Sequence, residues 1–364
     1  MASNNTTASK RGRPTLQTIA DRLNVSRATV SNAYSRPDQL NPELRKRILE
    51  VAREIGYAGP NPAARNLRRG RTDTIGVLFT EELTFAFSDP AAVAFLRGVS
   101  EVLSNRDLGL LLLPSPPGGE QRSSAILDAA VDGFIVYCMP DDDDRYHQLM
   151  DRKLPTVMVD EHRARDAAFV GIDDHGGARS VAEHLLALGH RSFGIVTDRL
   201  RPDNYAGRAD IERQRSATFG VNTERLRGYA DAVEAAGIPW ERVPVMEGFP
   251  ISPETGARCA SALLDRRDRP TAIICTSDQL ALGVLDAARR RGINVPGELS
   301  VAGFDDIDEA ARSSPGLTTV RQPLLEKGRA AGRLLFEEWQ PGSPPEVVLP
   351  TELVVRGSTG ALST

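Results

Sequence analysis

Apolar positions fall into two regimes along the 364 residues. In the first, Leu16, Ile19, Ala20 and Leu23 recur at helical spacing, and Val30 and Ala33 resume the pattern after a polar break at Asn24–Ser26. The spacing predicts two short helices joined by a tight turn. Thr15 and Ser26 stand where a hydroxyl can accept a free backbone N–H at each helix start. Asn24 stands at the turn, and asparagine tolerates the left-handed backbone such a turn requires. Asn41-Pro42-Glu43 opens a third helix with a capping side chain, a proline in the first turn and an acid at the positive dipole end. Its stripe of Leu44, Ile48, Val51, Ala52 and Ile55 would close a small three-helix core, and Gly56 ends it. The second helix keeps a polar, open start, the layout that puts a helix N-terminus into the major groove of DNA. An ordinary helical hairpin inside a core is the plainer alternative.

After the linker Tyr57-Ala58-Gly59-Pro60-Asn61, Pro62 to Arg69 reads as a helical segment of eight residues, too short to persist alone in water. From Thr74 the texture changes to short apolar runs alternating with amphipathic stretches. Strands are expected at 75–79, 108–113, 133–137, 157–159, 169–172, 193–196, 243–246, 272–275 and 299–304. Helices are expected at 91–103, 123–130, 176–188, 223–236, 253–265 and 277–291. Such alternation argues for parallel sheets with helices on both faces. The stretch is long for one sheet, so two similar lobes are the natural arrangement. Between Asp198 and Asn222 a polar, arginine-rich segment breaks the pattern. A loop of that length is either functional or a mobile insertion, and the residues favour neither.

Charge changes this picture more than composition does. The net charge of −4 conceals an asymmetry: Lys10 to Arg71 holds fourteen basic and five acidic residues, a surplus of nine, so the remainder carries −13. A basic module for a polyanion joined to an acidic domain fits that division, and the basic block coincides with the two-helix motif. The polar, basic first residues have no apolar core of a secretory signal, and no run of about 18 apolar residues is available for a membrane span. Cys138, Cys259 and Cys275 form neither a disulfide framework nor a paired metal motif, so buried free thiols in a reducing cytoplasm are expected.

The segments TLQTIADRLNVSRATVSNAY, LNPELRKRILEVAREIGY, PNPAARNL, LLALGHRSFGIV, ERLRGY, TSDQLALGVLDAARRRGINVPGELSVAGFDD and LTTVRQP carry a further reading. Across about Thr15 to Gly357 the chain resembles the lactose-repressor/galactose-repressor (LacI/GalR) family of bacterial transcription factors. The resemblance implies an all-α helix-turn-helix headpiece followed by an α/β, two-lobed, periplasmic-binding-protein-like effector domain. The expected division is a disordered basic tail (1–13), the headpiece (14–58), a linker and hinge helix (59–71) and the effector and dimerisation domain (72–364). Within the last, the N-lobe is assigned to about 74–173 and 305–322, and the C-lobe to about 174–304 and 323–357.

Carried over by motif, Arg27, Ala28 and Asn32 match the family positions that face base edges: Arg27 for a guanine, Asn32 for an adenine or a phosphate, Ala28 offering a methyl. Thr15, Ser26, Thr29 and Ser31 match caps and backbone anchors at the same surface. Leu67 matches the hinge leucine that the family wedges into the minor groove, with Asn61 and Ala64 on the same hinge helix. Tyr57 to Leu67 is one residue longer than the common family spacing, through Gly59. In the effector domain, Asp278 and Arg225 match family residues that reach the ligand, the carboxylate suited to sugar hydroxyls and the guanidinium to hydroxyls or a carboxylate. Phe87 and Asp89 are assigned to the cleft as an aromatic and a carboxylate in the loop after the first strand. That loop lacks the family's asparagine-proline-phenylalanine run, so no effector class carries over.

No catalytic constellation stands out. Glu161-His162 lacks a second histidine at metal-helix spacing, and Asp141–Asp144 reads as a solvated acidic run. The expectation is a non-enzyme without cofactor or metal. It is a sequence-specific regulator, in the first instance a repressor, bound to a near-palindromic double-stranded DNA operator as a homodimer or higher oligomer. It would act in the cytoplasm, at the nucleoid, and be switched by a small molecule such as a sugar. Alternatives are a regulator with a vestigial pocket that answers to a protein partner, and a soluble small-molecule receptor without a DNA role.

Overall fold

The computed structural model describes residues 14–59, 70–114, 123–161, 163–340 and 342–362. They divide into two compact units, up to Thr72 and from Asp73 onward. The headpiece holds α1 (Leu16–Leu23), α2 (Arg27–Ser35) and α3 (Pro42–Glu54). Each helix start carries the cap its sequence announced. Thr15 Oγ1 accepts from Thr18 N at 3.3 Å while Thr15 N donates back to Thr18 Oγ1 at 3.1 Å. Ser26 Oγ accepts from Thr29 N at 3.0 Å, and Asn41 Oδ1 from Glu43 N at 2.9 Å. Asn24 adopts the left-handed conformation, φ 53°, that turns α1 into α2. Leu16, Ile19, Ala20, Val30, Ala33, Ile48 and Ala52 form the buried core, with Leu44, Val51 and Ile55 packed around it.

The second unit is two-lobed. Its first sheet comprises β1 (Thr74–Phe79), β2 (Gly109–Pro114), β3 (Phe134–Tyr137), β4 (Thr156–Val159), β5 (Ala168–Ile172) and β12 (Glu346–Leu349), in the order β12-β5-β4-β3-β1-β2. Every pairing in it is parallel. Around it lie α4 (Phe85–Ser88), α5 (Pro90–Ser104), α6 (Ser123–Asp128), α7 (Arg145–Asp151) and α14 (Leu324–Leu334). The second sheet has the order β10-β9-β6-β8-β7, from β6 (Phe193–Thr197), β7 (Gly207–Arg208), β8 (Val245–Glu247), β9 (Ala272–Cys275) and β10 (Ser300–Ala302). It is parallel except for the short antiparallel β7. Its helices are α8 (Asp174–Ala187), α9 (Ile211–Arg215), α10 (Gly220–Ala235), α11 (Pro253–Leu264), α12 (Asp278–Arg290) and α13 (Asp308–Arg312), and β11 (Thr319–Arg321) pairs antiparallel with β13 (Glu352–Val354).

One boundary expectation is overturned. Residues 305–322 belong to the C-lobe, where Ile307, Ala310 and Leu317 are buried with α12 and β9. Residues 323–349 belong to the N-lobe: α14 packs on α5, and β12 adds itself to the edge of β5. The α5–α14 contact is tight because Gly98 and Gly328 face it, and a Cβ on either would strike the opposing backbone carbonyl. The chain therefore crosses between lobes near residues 173, 323 and 350. Alternation in sequence reveals elements, but which sheet a late strand joins is decided by pairing partners more than a hundred residues away.

Candidate DNA-binding face and ligand cleft

At the start of α2, Arg27 and Ala28 are exposed, while Thr29, Ser31 and Asn32 are half-buried. Val30 and Ala33 turn into the core and leave the remaining face of this nine-residue helix outward. No acidic residue lies in its first turn. The positive end of the helix dipole and the Arg27 guanidinium thus stand together, a combination that attracts phosphate oxygens. Arg45 Nε donates to Ala33 O at 3.3 Å and ties α3 to the end of α2. Thr15 and Ser26 are exposed, and their hydroxyls are engaged in the two caps. Asn61, Ala64 and Leu67 lie outside the described residues, as does the tail 1–13.

In the second unit, the carboxyl ends of both sheets face each other across a cavity of about 750 Å³, counting its open mouth. Ligands of open parallel sheets bind at this edge. Thr80 and Glu81 follow β1, Cys138 follows β3, and Asp160 and Glu161 follow β4 on the N-lobe side. Asp198 and Arg199 follow β6, Thr276 and Ser277 follow β9, and Asp305 follows β10 on the other. Cys138, Asp160 and Asp305 all have positive φ (54°, 67° and 121°), a conformation costly for residues with a Cβ. Sparsely populated backbone at the ends of three strands, all lining one cavity, is a feature that clusters at ligand clamps and active sites, and it makes this cavity the candidate site.

Five carboxyls of the cavity wall are held above the ordinary range, Glu161 among them, pushed well up by its burial. Burial pushes Glu81 up to about 8 against the pull of Arg199, and Asp305 up to about 7 against Arg225. Burial also raises Asp89 and Asp198 to about 6. Both cleft guanidiniums are bonded within the protein. Arg199 lies between the rings of Phe219 and Phe249 and donates to Glu81 and to Thr80 O. Arg225 donates to Asp174 Oδ1 at 2.7 Å and Thr276 O at 2.5 Å, over the ring of Phe304. Fully buried Lys327 reaches Asp160 Oδ2 at 2.8 Å and Gln322 Oε1 at 2.5 Å. Gln322 in turn donates to Asp305 Oδ1 at 2.6 Å. This chain of polar contacts runs from one lobe to the other along the cleft wall, with Lys327 set behind it.

Three of the four sequence-assigned cleft positions change meaning. Asp89 lines the cavity while capping α5, its Oδ2 accepting from Ala92 N at 3.1 Å. Arg225 lines it too, but with its donors engaged as above. Asp278 does not line it: it is fully buried behind the wall, accepting from Thr319 Oγ1 at 2.5 Å and Ile307 N at 3.0 Å. Its place at the surface is taken by Asp305. Phe87 is 68% exposed and outside the cavity. Two positions along a helical turn point about 200° apart, and on α4 it is Phe85 that faces inward.

The segment 198–222, undecided from sequence, is a builder of the site. Buried Glu247 anchors it, accepting from Leu200 N at 2.8 Å and from Arg213, which also grips Asp203. The segment then delivers Arg199, Phe219, Val221 and Asn222 to the cavity. Among the described residues, no cluster of histidine, cysteine and carboxylate side chains is placed to hold a metal, and no helix is long and apolar enough to cross a membrane.

Comparison with known proteins agrees with this layout. Residues 15–61 match the family described as bacterial regulatory proteins, lacI family, and residues 182–359 match the periplasmic binding protein-like domain. The chain is 44% identical over 355 residues to an HTH-type transcriptional regulator of Mycobacterium tuberculosis, covering 96% of this chain and 97% of the relative. It superposes on the crystal structure of a LacI family transcriptional regulator from Corynebacterium glutamicum with a TM-score of 0.72 at 35% identity, covering 96% and 98% of the two chains. The complex of the transcriptional regulator CelR with cellobiose gives 0.68 at 28% identity, covering 95% of this chain and 100% of that one.

Proposed function

The chain belongs to the lacI family of bacterial regulatory proteins and is a DNA-binding transcriptional regulator, and from that premise we propose a homodimeric repressor switched by a small molecule in the interlobe cleft. Two copies of α2 would enter successive major grooves of a near-palindromic operator in the bacterial cytoplasm, protein two-fold matching DNA two-fold. Arg27 forks onto a guanine, Asn32 contacts an adenine or a phosphate, and Ala28 rests against a thymine methyl. Ser26, Thr29, Ser31 and Thr15 fix the helix against the backbone. Leu67, which with Asn61 and Ala64 matches the family's hinge segment, would wedge a base step in the minor groove.

The observation that carries the switch is the cleft itself: carboxylates, strained strand ends and a buried ionic chain meet where the two lobes face each other. A ligand there favours one lobe arrangement over another, and only that differential affinity can shift grip on DNA. The test begins by selecting operator sequences from a random duplex pool with the full chain. Fluorescence anisotropy on the selected duplex, with and without candidate sugars and polyols, reads the coupling and its sign. Light scattering of the free and DNA-bound protein reads the dimer. Absence of sequence-selective binding, or a monomer on the selected duplex, would refute the proposal.

A further inference from the structure

The amino end of α10 is completed from the other lobe. The first N–H groups of a helix have no partner inside it, and the residue before α10 is Phe219, whose ring has nothing to accept with. Val221 N instead donates to Glu161 Oε1 at 3.1 Å, and Glu161 follows β4 on the N-lobe. Further bonds cross beside it. Asp141 N, beyond β3, donates to Thr218 O at 3.0 Å. Arg199 Nη2 donates to Thr80 O at 3.3 Å and to Glu81, beyond β1. The two ends of the 198–222 segment thus reach three neighbouring strands of the N-lobe sheet, β4, β3 and β1.

On the C-lobe side these donors and acceptors are firmly held. Thr218 N donates to Leu200 O at 2.8 Å and Asn222 Nδ2 to Arg199 O at 2.9 Å, so the ends of the segment are closed on each other. Arg213 ties its middle to Glu247. Arg199, Glu161, Phe219 and Asn222 are all buried, and bonds shielded from water are electrostatically stronger than exposed ones. Burial raises both Glu81 and Glu161, yet neither bond needs their charge, because a protonated carboxyl still accepts through its carbonyl oxygen. Position adds leverage. Two of the three lobe crossings leave from β5 and β12, adjacent strands at one side of the N-lobe sheet, and β4, β3 and β1 lie successively further from β12. A hinge motion about the crossings separates the lobes most on that far side.

Resting on the reading of the cleft as a switch, we propose that the 198–222 segment is an interlobe clasp, with Arg199 and Glu161 as positioning residues, that holds the lobes together before any effector arrives and so sets the resting grip on DNA. An effector that fits this arrangement works with the clasp, and one that needs the lobes apart must first break it.

Hydrogen exchange of the full chain without effector, resolved to single amides by fragmentation in the mass spectrometer, reads the clasp at Val221 N and Asp141 N. Ile195 N, bonded to Pro244 O inside the C-lobe, is the control. Glu161→Ala removes one cross-lobe bond and Arg199→Met another, and neither substitution alters Asp141 N or Thr218 O. Each is expected to speed exchange at both clasp amides about tenfold or more while the control stays slow. Glu161→Gln, which keeps a carbonyl acceptor, should stay within about threefold of the wild type. Acceleration confined to Val221 in Glu161→Ala marks a local helix cap and overturns the clasp. Acceleration that includes the control, or none at all, overturns it too. Should Glu161→Ala fail to fold, Arg199→Met carries the same test. On the selected operator, both opened variants should change affinity without effector by about threefold or more, and an unchanged affinity overturns the claim on resting grip. If the wild type selects no operator, the regulator reading falls by itself, and the exchange result still decides whether the clasp exists.

Discussion

The headpiece and the cleft use polar side chains in opposite ways. In the headpiece, the capping bonds span two or three residues, and the core beneath them is wholly apolar. In the cleft, polar groups are buried and meet partners far along the chain: Asp160 with Lys327, Arg225 with Asp174, Arg199 with Glu81. The first arrangement stabilises a fixed shape and leaves an outer face free for a partner. The second leaves carboxyls above their usual range and, among the described residues, Glu161 Oε2 and Asp198 Oδ1 without a hydrogen-bond partner. A reader of DNA benefits from rigidity, whereas a sensor needs unsatisfied groups.

The largest break in this contrast comes from Lys327→Met. Removing one partner of a buried ion pair strands the Asp160 charge, and a loss of about 3–5 kcal/mol is expected in chemical denaturation of the effector domain. The double change with Asp160→Leu should recover much of it, since an apolar pair has no charge to strand. In the headpiece the equivalent break is apolar. Ile48→Ala, at a fully buried position, is expected to cost about 2–4 kcal/mol, abolishing operator binding while the effector domain keeps its melting temperature.

Acidity separates the two regions next. Glu81 and Asp305 hold protons in the folded state up to about pH 8 and 7, far above their unfolded values. Carboxyls raised on folding contribute stability at low pH that is lost as pH rises through the folded values. Lowering pH from 9 to 6.5 should therefore raise the effector domain's melting temperature, and Glu81→Gln should shrink the rise. Below pH 6.5 the buried His190, whose own value is pushed down by burial, opposes the trend. Calorimetry across that range shows whether the cleft dominates. A melting temperature that falls over the interval would contradict it.

Smaller effects sharpen the headpiece side. Arg27→Ala is expected to weaken operator binding by about 1–3 kcal/mol and relax preference at one base pair; loss that is uniform over all sequences would instead mark Arg27 as a phosphate contact. Ser26→Ala removes the cap of α2 and should cost about 1 kcal/mol of headpiece stability, seen as a lower midpoint in urea with DNA absent.

The legibility of the chain divides along the same line. Thr15, Asn24, Ser26 and Asn41 could be read because a cap or turn is a contact between near neighbours, encoded by residue type alone. Most strands and helices of the two lobes were readable from their periodicity. The lobe assignment of 305–349 was not, because β12 finds β5 only in three dimensions. Asp278 misled for a related reason. Motif position puts a carboxylate at a strand end, but whether it faces ligand or Thr319 depends on how the segment from Gly303 to Arg321 folds back over it. Glu161 and Asp198 carried no local signal, since being orphaned is a property of surroundings.

By itself, then, the sequence determined the headpiece, the alternating α/β character of the larger domain and the charge division between them, all consequences of local propensity, periodicity and composition. Only the tertiary structure decided which carboxylates share one cavity, which arginines are already engaged, and which oxygens are left without a partner. Those outcomes rest on burial and on pairings between distant residues, and neither exists until the two lobes have packed.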